Sequence, residues 1–277
     1  MMKRIVLTVI LFGCVAVHAQ TNADWKLSVQ TWTFHLNSFL ESVDKADSLG
    51  LRYIEVYPGQ KVGGSIPGVF SYTLDKDARD KIKDYLKYKK VSVIAIGVVD
   101  KYYYNNENLE QFFAFAQYMN ISFITAEPEW KDLDRFEQLA VKYHVKVALH
   151  SHPKPDSHYW HPDSTVAAMK GHPHIGAWPD IGHWARNGVD VKAALKQMGG
   201  KLWGMHFKDV RTFNDLQAED TILGKGVLDI AGVMQQLKNR HFKGVFSIEY
   251  EMYPENNMAQ MRENIAYYYA ILKKLRP

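Results

Sequence analysis

The stretch VKVALHSHPKPDSHYWHPDSTVAAMKGHPHIGAWPDIGHW, residues 145–184, decides how the chain is read. Eight of the 12 histidines fall between His144 and His183. Two apolar runs, 145–149 and 175–178, each end abruptly in side chains able to hold a metal. The first ends in His150-Ser-His152, the second in Asp180-Ile-Gly-His183. Polar ligands just past a buried strand are what parallel α/β enzymes carry at their active face. The alternative is a histidine-rich surface loop. That would gather the histidines in one polar tract, whereas these follow strand-like runs.

Working outward, further strand-like runs lie at 27–34, 53–57, 91–99, 123–126, 202–207 and 245–250. The run at 91–99 is almost wholly apolar, as expected of a strand buried on both faces. Helix-like segments alternate with these runs. Ser38 and Glu41 form a capping box, and Gly50 has the place of a C-terminal glycine. Helices are expected at 75–90, 107–118, around Leu133 to Ala140, at 165–170, near 191–198, and from Met258 to Leu275. Residues 59–71, rich in Gly and Pro, read as a long loop of the kind that often carries function. Eight strand and helix units over this length predict a (β/α)8 TIM barrel in a single domain, residues 20–277.

Residues 1–19 read as a signal peptide: a basic Met1-Met2-Lys3-Arg4, an apolar run at 5–17, then Val17-His18-Ala19 before Gln20. The run is too short to span a membrane. A periplasmic or secreted protein is therefore expected. The alternative is a lipoprotein processed at Cys14, which the bulky Phe12 and the apolar residues after Cys14 oppose. Cys14 is the only cysteine, which excludes disulfides and thiol catalysis. The formal charge of +4 falls to +2 (32 − 30) without Lys3 and Arg4, giving no reason to expect nucleic acid. The lysines at 81, 83, 87, 89 and 90 have helical spacing beside Asp80 and Asp84 and read as a solvated helix face.

Four strand ends offer metal ligands: His150, Asp180, His206 and Glu249. Such a mixed N/O set suits one divalent ion, Mn, Zn, Co or Fe, better than Ca. Taken singly, an Asp there often caps a helix and a His is often a core residue. Four on successive strands are harder to explain that way. These ligands resemble those of the xylose isomerase-like sugar isomerases and epimerases, and the resemblance implies an ion that polarises a sugar ketone and stabilises the enediolate formed when an α-proton leaves. Glu249 or Glu127 is the expected base, although Glu127 has capping as its plainer role. Lys208 would meet the developing oxyanion or a leaving oxygen, or else pair with Asp209 or a nearby carboxylate. His152 and His183 would hold hydroxyls or orient ligands. His35, Trp32, Tyr159 and Trp160 would line a sugar pocket. His158, His161, His172 and His174 are expected in exposed loops.

These residues resemble the xylose isomerase-like sugar isomerases and epimerases. Asp180-Ile-Gly-His183 is similar to the family's Asp-x-x-His after strand six, and His206 in HFKDV to its strand-seven His. Gly224-Lys-Gly-Val-Leu-Asp229 resembles the turn that follows, Glu249 the strand-eight Glu, and Gly50-Leu-Arg-Tyr-Ile-Glu55 the second-strand opening, which places Glu55 among the substrate contacts. The resemblance implies one metal ion held at strands five to eight. It departs at strand five, where the epimerases carry a Glu that also transfers protons. His150-Ser-His152-Pro153 instead resembles the His-x-His of the branch containing keto-inositol dehydratases. Elimination needs one base, two-base epimerisation does not survive the change unless Glu127 replaces the missing partner. Similarity of the segment through Lys154 and Pro155 to secreted relatives implies a 3-keto-glycoside or its 2-hydroxyglycal as substrate. The expected function is thus a metal-dependent lyase or hydratase. A sugar isomerase or epimerase, a non-catalytic sugar-binding protein and a nuclease of the endonuclease IV type are the rivals.

Overall fold

The computed structural model describes residues 24–105 and 107–275; the expected signal peptide and Cys14 lie outside them. Eight parallel strands form one sheet: β1 (Trp25–Gln30), β2 (Tyr53–Val56), β3 (Ser92–Val99), β4 (Phe123–Ala126), β5 (Lys146–Leu149), β6 (Ile175–Ala177), β7 (Gly204–Phe207) and β8 (Gly244–Ile248). Their order is β6-β5-β4-β3-β2-β1-β8-β7. Two isolated parallel bridges, Ala177 to Leu202 and Asp180 to His206, join the ends between β6 and β7. There the Trp203 amide donates to Ala177 O (3.0 Å) and the His206 amide to Pro179 O (2.9 Å). The result is a nearly closed TIM barrel in a single domain.

Nine helices cover the barrel among the described residues: α1 (Phe39–Ser48), α2 (Lys76–Lys89), α3 (Leu109–Tyr118), α4 (Leu133–Tyr143), α5 (Pro162–Met169), α6 (Ile181–Arg186), α7 (Val191–Gln197), α8 (Ile230–Asn239) and α9 (Met258–Lys274). Outward strand residues such as Val29, Ile54, Val147, Phe207 and Ile248 join the main core against these helices. Inward residues Ala95, Ala148, Trp178 and Val245 form a second, smaller core with Tyr53, Phe123 and Trp203. Alternation along a strand is what separates the two. Burial on both faces is why these strands read as unbroken apolar runs.

The inward parity also positions the site. Two residues beyond Ala148 comes His150, beyond Trp178 comes Asp180, beyond Gly204 comes His206, and beyond Ser247 comes Glu249. The seam depends on two glycines. A Cβ on Gly204 would lie 2.4 Å from the Trp178 ring, and one on Gly176 would lie 2.5 Å from Trp203. Each strand thus gives up a side chain to admit its neighbour's indole.

Local expectations need four adjustments. The strand expected at 27–34 ends at Gln30, whose side chain accepts from the Trp32 amide and starts a 3-10 turn at Thr31–Phe34. The expected loop at 59–71 contains a hairpin, Lys61–Gly63 with Ile66–Val69. A second hairpin pairs Asp209–Val210 with Asp220–Thr221. Asp180 starts α6 directly, without an intervening loop. The capping box at Ser38 and Glu41 is present, and Gly50 has φ of 75°. No helix among the described residues is long and apolar enough to cross a membrane.

Candidate metal centre and active-site cavity

His150, Asp180, His206 and Glu249 converge at the C-terminal end of the barrel, all buried. His150 Nε2 lies 3.0 Å from His206 Nδ1. The same His206 nitrogen is 3.0 Å from Glu249 Oε2 and 3.8 Å from Asp180 Oδ2. Such spacings match donors sharing one ion at about 2.0–2.2 Å.

The partners behind the two imidazoles fix which nitrogen faces this point. Glu127, following β4, accepts at one oxygen from His150 Nδ1 (2.8 Å), the His152 amide (2.7 Å) and His152 Nδ1 (2.8 Å). The proton of His150 is therefore on Nδ1, and the lone pair of Nε2 points inward. Glu55 Oε1 lies 3.1 Å from His206 Nε2, which turns His206 Nδ1 inward in the same way. A carboxylate behind a ligating histidine is the usual arrangement of a metal site.

Asp180 divides its work between its two oxygens. Oδ1 accepts from the His183 amide (2.9 Å) and caps α6, whereas Oδ2 is buried and accepts no hydrogen bond. This oxygen faces His150, His206 and Glu249 as well as the Lys208 ammonium, and two carboxylates and two imidazoles converging in this way form a donor set of the kind that holds a cation. The residues present therefore fit a divalent metal ion.

Lys208 supplies a built-in positive charge beside the cluster. Its buried Nζ lies 3.1 Å from both Asp180 Oδ2 and Glu249 Oε2, and 2.5 Å from Glu251 Oε1. Asp209, expected as its partner, points away and accepts from the amides of Val210, Gly224, Gly226 and Leu228. Burial opposes the charge on Lys208, but Asp180 and the other carboxylates hold its pKa well above the usual value. Burial likewise opposes ionisation of Glu249, and Lys208 and His206 outweigh it, keeping the carboxyl ionised.

His183 is held differently. Arg186 Nη1 lies 2.8 Å from His183 Nδ1, and an arginine only donates. Burial lowers the pKa of this ring well below the usual value. His183 is thus neutral with its proton on Nε2. Arg186 continues to Asp220 Oδ1 (2.6 Å), and Asp220 Oδ2 accepts from the Glu251 amide (3.0 Å). Burial lowers the pKa of His152, but its bonds to Glu127 override this and raise it.

A cavity of about 360 Å³ opens above the centre. It is lined by His150, His152, His183, His206, Glu249 and Glu251 together with Trp32, Tyr57, Pro58, Asp100 and Tyr103. Several expected residues sit elsewhere. Glu55, expected among the substrate contacts, is fully buried beneath His206 and bonded to Thr125 Oγ1 (2.7 Å), so it faces the histidine and not the cavity. Tyr159 is fully buried, its hydroxyl donating to Pro128 O (2.7 Å). Trp160 is outside the cavity, under the Lys154 ammonium at 5.2 Å. His35 backs Trp32 without lining the cavity. Glu127 is buried behind both histidines. Sequence reasoning missed Gln30, Arg186, Asp220 and Glu251. Arg186 follows His183 by three residues, the one local signal available.

The model of the xylose isomerase-like TIM barrel matches residues 43–271. Inosose dehydratase of Lactiplantibacillus plantarum is 23% identical over 295 residues, covering 91% of this chain and 96% of the relative. An uncharacterized protein from Parabacteroides distasonis ATCC 8503 is 34% identical in its crystal structure, with a TM-score of 0.73 and coverage of 92% and 100%. The crystal structure of the IOLI protein, which carries a zinc atom, has a TM-score of 0.73 at 17% identity, covering 91% and 99%. Barrel, strand order and a family match over most of the chain agree: the protein belongs to the xylose isomerase-like TIM-barrel family.

Proposed function

We propose that the protein is a metal-dependent lyase or hydratase acting on a keto-sugar, a 3-keto-glycoside or its 2-hydroxyglycal. One observation carries this reading: beside the cluster of metal-capable side chains, one imidazole faces the cavity with a ring edge left free. That group is His152, held through Nδ1 by Glu127 with Nε2 on the opposite edge. In this reading Glu249 holds the ion and His183 acts as a donor, while both oxygens of Glu251 are engaged. One such group suffices for elimination, whereas epimerisation by opposed bases needs two.

When bound, the divalent ion supplies Lewis acidity to a ketone oxygen and its neighbouring hydroxyl. His150, Asp180, His206 and Glu249 would hold it. His152 takes the proton from C2, and Glu127 balances the imidazolium formed. The C1–C2 double bond forms as the C1–O bond breaks, and His152 returns the proton to the leaving oxygen. His183 donates from Nε2 to a sugar oxygen. Similarity to an inosose dehydratase supports an elimination. Export after Ala19 belongs to the proposal, since it would bring the enzyme to unphosphorylated glycosides.

The test is proton NMR of the metal-loaded protein with a simple 3-keto-glucoside in D₂O, beside a chelated control. Metal-dependent release of the aglycone is expected, with Glu127→Gln slower by about 100-fold or more. Loss of the C2 proton with the glycoside intact would move the assignment to an isomerase or epimerase. Turnover untouched by both chelation and Glu249→Gln would sink the metal mechanism.

A further inference from the structure

We infer that the aromatic wall of the cavity is a leaving-group subsite that takes a ring, aryl or glycosyl, carried on the anomeric oxygen of the reacting sugar. This rests on the elimination reading above and adds the half of the substrate which that reading leaves open. The cavity has two unlike kinds of lining. Ion ligands and His152 form one, here called the floor, and the apolar and aromatic Trp32, Tyr57, Pro58 and Tyr103 form the other, the wall; Asp100 also lines it.

Trp32 is 40% exposed, yet it is fixed on several edges. Its amide donates to Gln30 Oε1 (3.2 Å) and its Nε1 to Glu251 Oε2 (3.2 Å). One face stacks on His35, with centroids 4.9 Å apart and planes at 25°, and Tyr57 packs edge-on at 5.1 Å. Trp32 lines the cavity and His35 does not, so indole surface that His35 leaves uncovered is turned into it. An exposed indole held this way presents an apolar face whose ordering cost is already met. A flat apolar surface with a polar edge suits an aryl ring or the C–H face of a pyranose.

Wall and floor are also one frame. The other oxygen of Glu251 is 2.5 Å from Lys208, which lies 3.1 Å from both Asp180 and Glu249. The platform is thereby registered to the reacting carbons. A cavity of about 360 Å³ exceeds the need of one pyranose, and a free sugar seated on the floor would leave the wall unused.

The experiment compares kcat/KM of the metal-loaded protein for methyl, benzyl and glucosyl 3-keto-glucosides, whose leaving alcohols are of similar basicity, with Trp32→Ala and Trp32→Phe alongside. The ring-bearing substrates should be preferred over methyl by about tenfold, the scale of one stacking contact. Trp32→Ala should abolish the preference and Trp32→Phe should keep most of it. A preference unchanged in Trp32→Ala overturns the subsite, whatever happens to the absolute rates. If no keto-glycoside turns over, the reaction assignment fails, and calorimetry with the unoxidised p-nitrophenyl and methyl glucosides decides the subsite. Tighter p-nitrophenyl binding that Trp32→Ala removes supports it; equal binding of the two overturns it.

Discussion

Glu55 lies beneath the metal centre, bonded to Thr125 and 3.1 Å from His206 Nε2, where it can only act through the histidine. Replacing it with Gln keeps the shape and removes the charge that holds the imidazole. Metal affinity should fall about 10- to 100-fold with the fold retained, as measured by calorimetry and circular dichroism. Unchanged affinity would remove Glu55 from this role. The same carboxylate bears on pH. Burial disfavours a charged His206, but Glu55 and Glu249 raise its pKa well above the usual value. An ion needs the neutral ring, so binding at pH 7 should expel a proton. Apparent affinity should rise with pH, by up to about tenfold per unit, until the raised pKa is passed. Calorimetry in two buffers of different ionisation heat reads this directly, and equal heats would contradict it. At this scale the ligand types and their strand-end positions were legible, because each follows an apolar run. What each meets was not. Glu55 and His206 are brought together by sheet register, which one-dimensional spacing does not carry. Tyr159 has the look of a pocket residue, but its hydroxyl is satisfied by Pro128 O and its ring is buried.

The glycines at the seam make the packing of β6 against β7 testable. Gly204→Ala would place its Cβ 2.4 Å from the Trp178 ring. Overpacking of this kind costs about 1–3 kcal/mol and should lower Tm by several degrees. Metal affinity should fall with it, since Trp178 sets the path of the chain into Asp180. Gly200→Ala is the control, because a Cβ there meets nothing within 4 Å. Equal effects of the two changes on a thermal melt would refute the packing argument. The eight strands could be read from the chain because strands buried on both faces leave long apolar runs. The hairpins at Lys61–Gly63 and Asp209–Val210 could not, since two to three residues establish no period. The turn at Thr31–Phe34 was hidden by an apolar composition that suits a strand equally well. It is set by the side chain of Gln30.

An ion that binds the native protein and not the unfolded chain stabilises the whole molecule. At 100 times its Kd the gain is about 2.7 kcal/mol. Chelation should therefore lower Tm and abolish turnover together, and re-adding metal should restore both. Turnover lost without any fall in Tm would place the ion outside the fold's energetics. At this scale the barrel was legible from the count and spacing of its units, while the place of its seam was not. That seam has a mechanical consequence. The barrel is a split ring, and one of its two closing bridges joins Asp180 to His206, residues that also hold the proposed ion. Loading the ion then acts as a rivet through the joint. Amide hydrogens at Trp203 and His206 should exchange more slowly in the loaded protein than in the chelated one, with little change at β2 or β3. Emptied, the ring would breathe at its joint.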